Sequence, residues 1–140
     1  IMKIIPFVLL SFAILLLASC ATVQTYEGEA LPPQDVAVIK STHWGNLVVT
    51  AVVREVDGKD LGVSPVNIMV LPGEHVVKIR VTHSMGYLGT ISAHGAVLLN
   101  AEAGHIYRVY GEIYGFGDGL LVWIKDEESD QIVASRKYHN

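Results

Sequence analysis

Three hydrophobic patterns follow one another along the chain. From Ile4 to Ala18 the run is uncharged and almost wholly apolar; residues 21–34 are mixed and carry the pair Pro32-Pro33. From Asp35 onward apolar residues alternate with polar ones or fall in short valine-rich blocks, with Gly, Pro, Asn and Asp between them, which is the strand pattern. The spacing predicts strands at Val36–Lys40, Leu47–Val56, Val66–Leu71, His75–Val81, Ala96–Ala101, Ile106–Tyr114, Leu120–Lys125 and Ile132–Ala134. In the fourth, Val77, Ile79 and Val81 share one face while Lys78, Arg80 and Thr82 share the other, so one side packs and the other is wet. No helix of any length is predicted beyond the first run. Seven to eight short strands at this spacing predict an all-β fold, a small antiparallel β-sandwich or a barrel-like relative of it.

The first run has the build of a secretory signal peptide: Lys3, then the apolar stretch, then small residues. It ends Leu17-Ala18-Ser19-Cys20, which resembles the lipobox of bacterial lipoproteins. The resemblance implies diacylglycerol on the Cys20 thiol and cleavage on its amino side. The alternative is an uncleaved anchor helix, since about 20 apolar residues span a bilayer. Both leave Lys3 on the cytoplasmic side and send the rest outward. Ala21 after Cys20, where inner-membrane lipoproteins of enteric-type bacteria commonly carry Asp, implies an outer-membrane anchor with the domain facing the periplasm. Three segments follow: 1–19 as signal peptide, 20–34 as lipidated N-terminus and proline-stiffened tether, and 35–140 as the β-domain.

Composition narrows the function classes. The chain is 51% hydrophobic and 17% charged, with a net charge of −4. No basic field is available for a phosphate backbone, so nucleic acid is not an expected partner. One cysteine excludes an internal disulfide framework and a cysteine-rich zinc cluster.

The turn dipeptides carry a second resemblance. Val56-Asp57-Gly58-Lys59, Gly62-Val63-Ser64-Pro65 and Leu71-Pro72-Gly73-Glu74-His75 are similar to the ordered turns of the PEGA-type surface domain of bacterial envelope proteins. Leu47–Glu55 departs from that family's usual Pro-x-Gly-Ala lead-in. Tyr26-Glu27-Gly28, the stretch Ala101–Tyr107 and Trp123–Asp126 resemble small outer-membrane lipoproteins of Gram-negative bacteria that carry no assigned activity. Together these imply a PEGA-like sandwich in the cell envelope.

Chemistry-bearing residues are sparse. Histidines 43, 75, 83, 94, 105 and 139 show no metal-ligand spacing. His75 and His105, at strand starts, are expected to bond neighbouring backbone carbonyls. His43 and His94 fall in loops and are the residues a small-ligand or metal-binding alternative would use. Gly111-x-x-x-Gly115-x-Gly117-Asp118-Gly119 lacks the following helix of a phosphate loop and the ligand set of a calcium loop, and reads as a flexible hairpin connection. No serine sits in a nucleophile elbow, and Asp126–Asp130 reads as a solvated acidic turn. Neither catalysis nor a cofactor is expected. In Ile106–Tyr114 one face carries Tyr107, Val109 and Ile113, and the other carries Arg108, Tyr110, Glu112 and Tyr114. Only one can be core. The mixed face is the candidate interaction surface, with an envelope protein or a second copy as partner and the membrane reached through Cys20.

Overall fold

The computed structural model describes residues 22–43, 49–62 and 65–139. Cys20 and the lipobox residues Leu17, Ala18 and Ser19 lie outside these, as do Val63, Ser64 and the side chain of His43. Eleven strands form two sheets. They are β1 (Thr22–Gln24), β2 (Ala37–Lys40), β3 (Thr42–His43), β4 (Val49–Val56), β5 (Lys59–Asp60), β6 (Asn67–Val70), β7 (Gly73–Ser84), β8 (Thr90–Ala101), β9 (Ile106–Tyr114), β10 (Gly119–Asp126) and β11 (Gln131–His139). The first sheet runs β1-β6-β2-β9-β10-β11, and the second runs β3-β4-β7-β8 with β5 paired to β4.

All eight strands expected from the pattern are present, with Leu47 and Val48 of the second lying outside the described residues. The three additional ones, β1, β3 and β5, are two or three residues long, too short for periodicity to show. The β7–β8 hairpin exceeds its predicted length, pairing from Gly73 with Ala101 to Ser84 with Thr90. Two pairings are parallel, β1 with β6 and β2 with β9, so the first sheet is mixed. The sheet begins at Thr22, inside the stretch read as a tether. There, Gln24 Nε2 donates to the carbonyls of Tyr26 and Gly28, and Thr25 N–H and Oγ1 both reach Met69 O.

The inner faces supply one apolar core. Ile39, Ile68, Tyr107, Val109, Val122 and Ile124 meet Ala51, Val53, Val77, Ile79, Val81 and Leu99. Small residues set the spacing between the sheets. A side chain at Gly111 would overlap Val81 Cγ2, and one at Gly95 would lie 2.8 Å from the Tyr138 ring. The sheets are joined at two margins. At Ser41 the chain leaves β2 for β3, and Ser41 Oγ donates to Pro65 O while accepting from Val53 N–H, both at 3.1 Å. On the other margin Tyr138 of β11 reaches β8, its hydroxyl accepting from Ala96 N–H and donating to Ala96 O.

The turns follow their sequence. Asp57 and Gly58 both take positive φ, 52° and 81°, the geometry of a two-residue hairpin that matches strand twist. Gly73 has φ 123°.

Candidate interaction surfaces

Alternation along β9 buries Tyr107, Val109 and Ile113, so Arg108, Tyr110, Glu112 and Tyr114 lie on the outer face of the first sheet. Strand β10 adds Trp123 opposite Tyr110 and Lys125 opposite Arg108. The Tyr110 and Trp123 rings stack at 5.6 Å, and Lys125 Nζ sits 5.8 Å from the Tyr110 ring centre. Arg108 Nε donates to Glu127 Oε1 at 2.7 Å, while Lys40 of β2 lies 3.9 Å from Glu127 Oε2. Tyr114 is tied down, with its hydroxyl donating to Tyr138 O and its ring lying under Lys137. Of the four expected surface residues, Glu112 is exposed and the other three are half-buried. Lys40 and Lys125 could not be assigned to this face beforehand, because strand order brings them there.

Two histidine–aspartate pairs fasten the opposite end of the sandwich. His75 Nδ1 bonds Asp57 Oδ2 and its Nε2 bonds Leu71 O, both at 2.6 Å; Asp57 Oδ1 accepts from Val76 N–H. The Asp57-Gly58 and Pro72-Gly73 turns thus meet in space, and His75 reaches a neighbouring carbonyl as expected. Burial raises the Asp57 pKa, but the hydrogen bonds from His75 and Val76 outweigh it and hold the carboxyl below its ordinary value.

His105 departs from expectation. It engages carboxylates instead of a carbonyl: Nδ1 lies 2.5 Å from Asp126 Oδ2, and Nε2 lies 3.3 Å from Glu102 Oε2. Asp126, read as part of a solvated turn, is buried; Asp126 Oδ1 accepts from Glu128 N–H. The hydrogen bond to Asp126 raises the His105 pKa against the opposing effect of burial, with the negative charges of Asp126, Glu102 and Glu128 adding to it. The same bond lowers Asp126, again against burial. A raised histidine stabilises the fold below its unfolded value and loses that contribution as pH rises through its folded one; a lowered carboxylate behaves oppositely. The pair therefore contributes fully between the ordinary values of 3.8 and 6.5 and fades on either side. His105→Ala is expected to lower the denaturation midpoint most near about pH 5 and least near about pH 9. A difference independent of pH would show that the pair does not couple to folding.

The other end holds a cleft of about 530 Å³ between the β7–β8 and β9–β10 turns, lined by Ser92, His94, Ile113, Leu120, Tyr138 and His139. His94 thus lies on a strand rather than in a loop, and so does His43, whose backbone pairs with Thr50 in β3. Its pKa is lowered by burial first and then by the charges of Arg80, Lys78 and Arg54, surroundings that repel a cation. Among the described residues no three His, Cys, Asp or Glu side chains are grouped to hold a metal. The glycine-rich stretch divides between elements: Gly111 lies within β9, Gly119 starts β10, and Gly115–Gly117 forms a tight turn with positive φ at all three residues, closed by Asp118 N–H to Gly115 O at 3.2 Å.

The class these observations define is an all-β, two-sheet sandwich with a mixed aromatic and charged outer face. No protein-family model, curated protein or solved structure matches the chain.

Proposed function

We propose that the chain is a lipid-anchored cell-envelope protein whose PEGA-like β-sandwich acts as a protein-interaction module without catalysis. The observation that carries the reading is the outer face of the first sheet. There, stacked Tyr110 and Trp123, flanked by Lys125, Arg108 and Glu112, combine large amphipathic rings with charges of both signs, the composition that interfaces favour. The apolar run and Leu17-Ala18-Ser19-Cys20 support the anchor, with the domain facing the periplasm from the outer membrane. Acyl chains contribute about 0.8 kcal/mol per buried CH₂, so two or more make attachment effectively permanent.

Two measurements test this. Growth with labelled palmitate is expected to label the wild type and leave Cys20→Ser unlabelled; an unlabelled wild type removes the lipid anchor. For the surface, Tyr110→Ala combined with Glu112→Lys is expected to keep β-type circular dichroism and lose crosslinks to an envelope partner or to a second copy. Tyr114 is left intact because its hydroxyl holds Tyr138. A folded double variant that retains every crosslink places the interface elsewhere.

A further inference from the structure

The end of the sandwich that holds the cleft presents large apolar side chains to solvent from two separate turns. Tyr87 and Leu88, between β7 and β8, are 98% and 65% exposed; Phe116, between β9 and β10, is 89% exposed. A pocket of about 230 Å³ shared by His83, Met85, Ile91, Ile113 and Phe116 shows that the two turns are neighbours. Phe116 sits at φ 54°, a backbone conformation that a bulky residue rarely adopts. Such strain persists only where surrounding structure imposes it, and it clusters at functional positions.

Charge is arranged to match. The sequence holds no Asp, Glu, Lys or Arg between Arg80 and Glu102, so the whole β7–β8 turn is uncharged. Set back from this tip along the strands stand Arg80, four pairs from the β7–β8 turn, and Arg136 and Lys137, three and two pairs from the tip end of β11, all exposed and none ion-paired among the described residues, against Glu112 and, in the β9–β10 turn itself, Asp118. The opposite end carries Asp57, Asp60, Glu74, Glu102 and the acidic turn Asp126–Asp130, which together outnumber Lys40, Lys59, Arg108 and Lys125 there. A chain of net charge −4 is therefore polarised, with its cationic collar behind its apolar tip.

We infer that this tip is a membrane-docking surface, with Tyr87, Leu88 and Phe116 entering the interface of an anionic bilayer beneath a collar of Arg80, Arg136 and Lys137. Apolar and aromatic side chains rimmed by cations are what a lipid headgroup boundary accepts. The inference goes beyond the proposed anchor, because the tip's contact with lipid is separately measurable.

The test uses the full chain reconstituted in vesicles of phosphatidylethanolamine with a minority of anionic phosphatidylglycerol. Single cysteines are introduced as Tyr87→Cys, Phe116→Cys and, at the far end, Lys59→Cys, each labelled with a small fluorophore, with the wild-type signal from Cys20 subtracted. A lipid carrying a shallow nitroxide is expected to quench the labels at 87 and 116 by roughly half or more, since interfacial groups sit about 5–10 Å into the headgroup boundary. The label at 59 stays unquenched, and removing the anionic lipid reduces quenching at the tip. Labels at 87 and 116 that behave like the one at 59 overturn the inference, including where size analysis shows the tip covered by a second copy. Position 87 reads independently should the substitution at the strained position 116 disturb its turn. Palmitate on Cys20 with an unquenched tip leaves the anchor standing and this inference fallen; a quenched tip without palmitate does the reverse.

Discussion

Replacing Tyr107 with alanine is expected to remove about 3–5 kcal/mol of stability, the range for deleting a large buried ring. Tyr107 is among the largest fully buried side chains. It sits on β9, which is flanked by β2 and β10, where its ring fills space between the sheets. Its hydroxyl also accepts from Glu102 N–H at 2.9 Å, fixing the β8–β9 turn. Burial, before that hydrogen bond, decides the ionisation of the phenol, which is held above its ordinary value. Domains of this kind have about 5–15 kcal/mol in total, so the alanine variant lies near the limit of folding. Tyr107→Phe separates the two contributions. It keeps the ring and leaves one turn donor without its partner, for an expected loss of about 1–3 kcal/mol. Urea denaturation of both variants checks the ordering; equal losses would assign the effect to the hydroxyl alone.

Gly111→Val is expected to be almost as damaging for the opposite reason, too much volume rather than too little. Gly111 lies in the middle of β9 and faces Val81 of β7 across the sandwich, so close that a Cβ there overlaps Val81 Cγ2. Valine at 81 cannot turn aside freely, because branching at Cβ restricts its rotamers. The two sheets must separate locally, at a cost of about 1–3 kcal/mol or somewhat more. Val81→Ala in the same chain is expected to recover part of the loss, since it vacates the volume that the new side chain needs. A double-mutant cycle measures that coupling; strictly additive losses would mean that Gly111 and Val81 do not share the site.

Gly111 also shows how far the sequence could be read. Strands longer than three residues were legible because valine and isoleucine alternate with charged and polar residues, and the Asp57-Gly58 turn because its geometry needs those types. The glycines of 111–119 looked like one flexible connection, yet Gly111 and Gly119 are strand residues that make room for Val81 and Tyr114. A missing side chain leaves no periodic signal, so only the facing strand reveals its purpose. The outer face of β9 was legible as well, since Tyr107, Val109 and Ile113 left the other residues no place in the core. The pairing of Tyr110 with Trp123, the Asp126–His105 bond and the nearness of Phe116 to Tyr87 depend on strand order and turn placement, which local patterns do not encode.

The shallow attachment of β1 has a mechanical consequence. A load applied through the N-terminus meets a strand of three residue pairs at the edge of the first sheet, reinforced by the Thr25 bonds to Met69. It meets the core lightly at Val23, which is half-buried against it, and firmly only at Val36, which is buried. Peeling residues 22–35 from the sheet would release roughly 45–50 Å of extended chain while β2 and the sandwich behind it stay folded. The chain therefore carries its own slack: under tension it is expected to lengthen by that stretch before the sandwich unfolds.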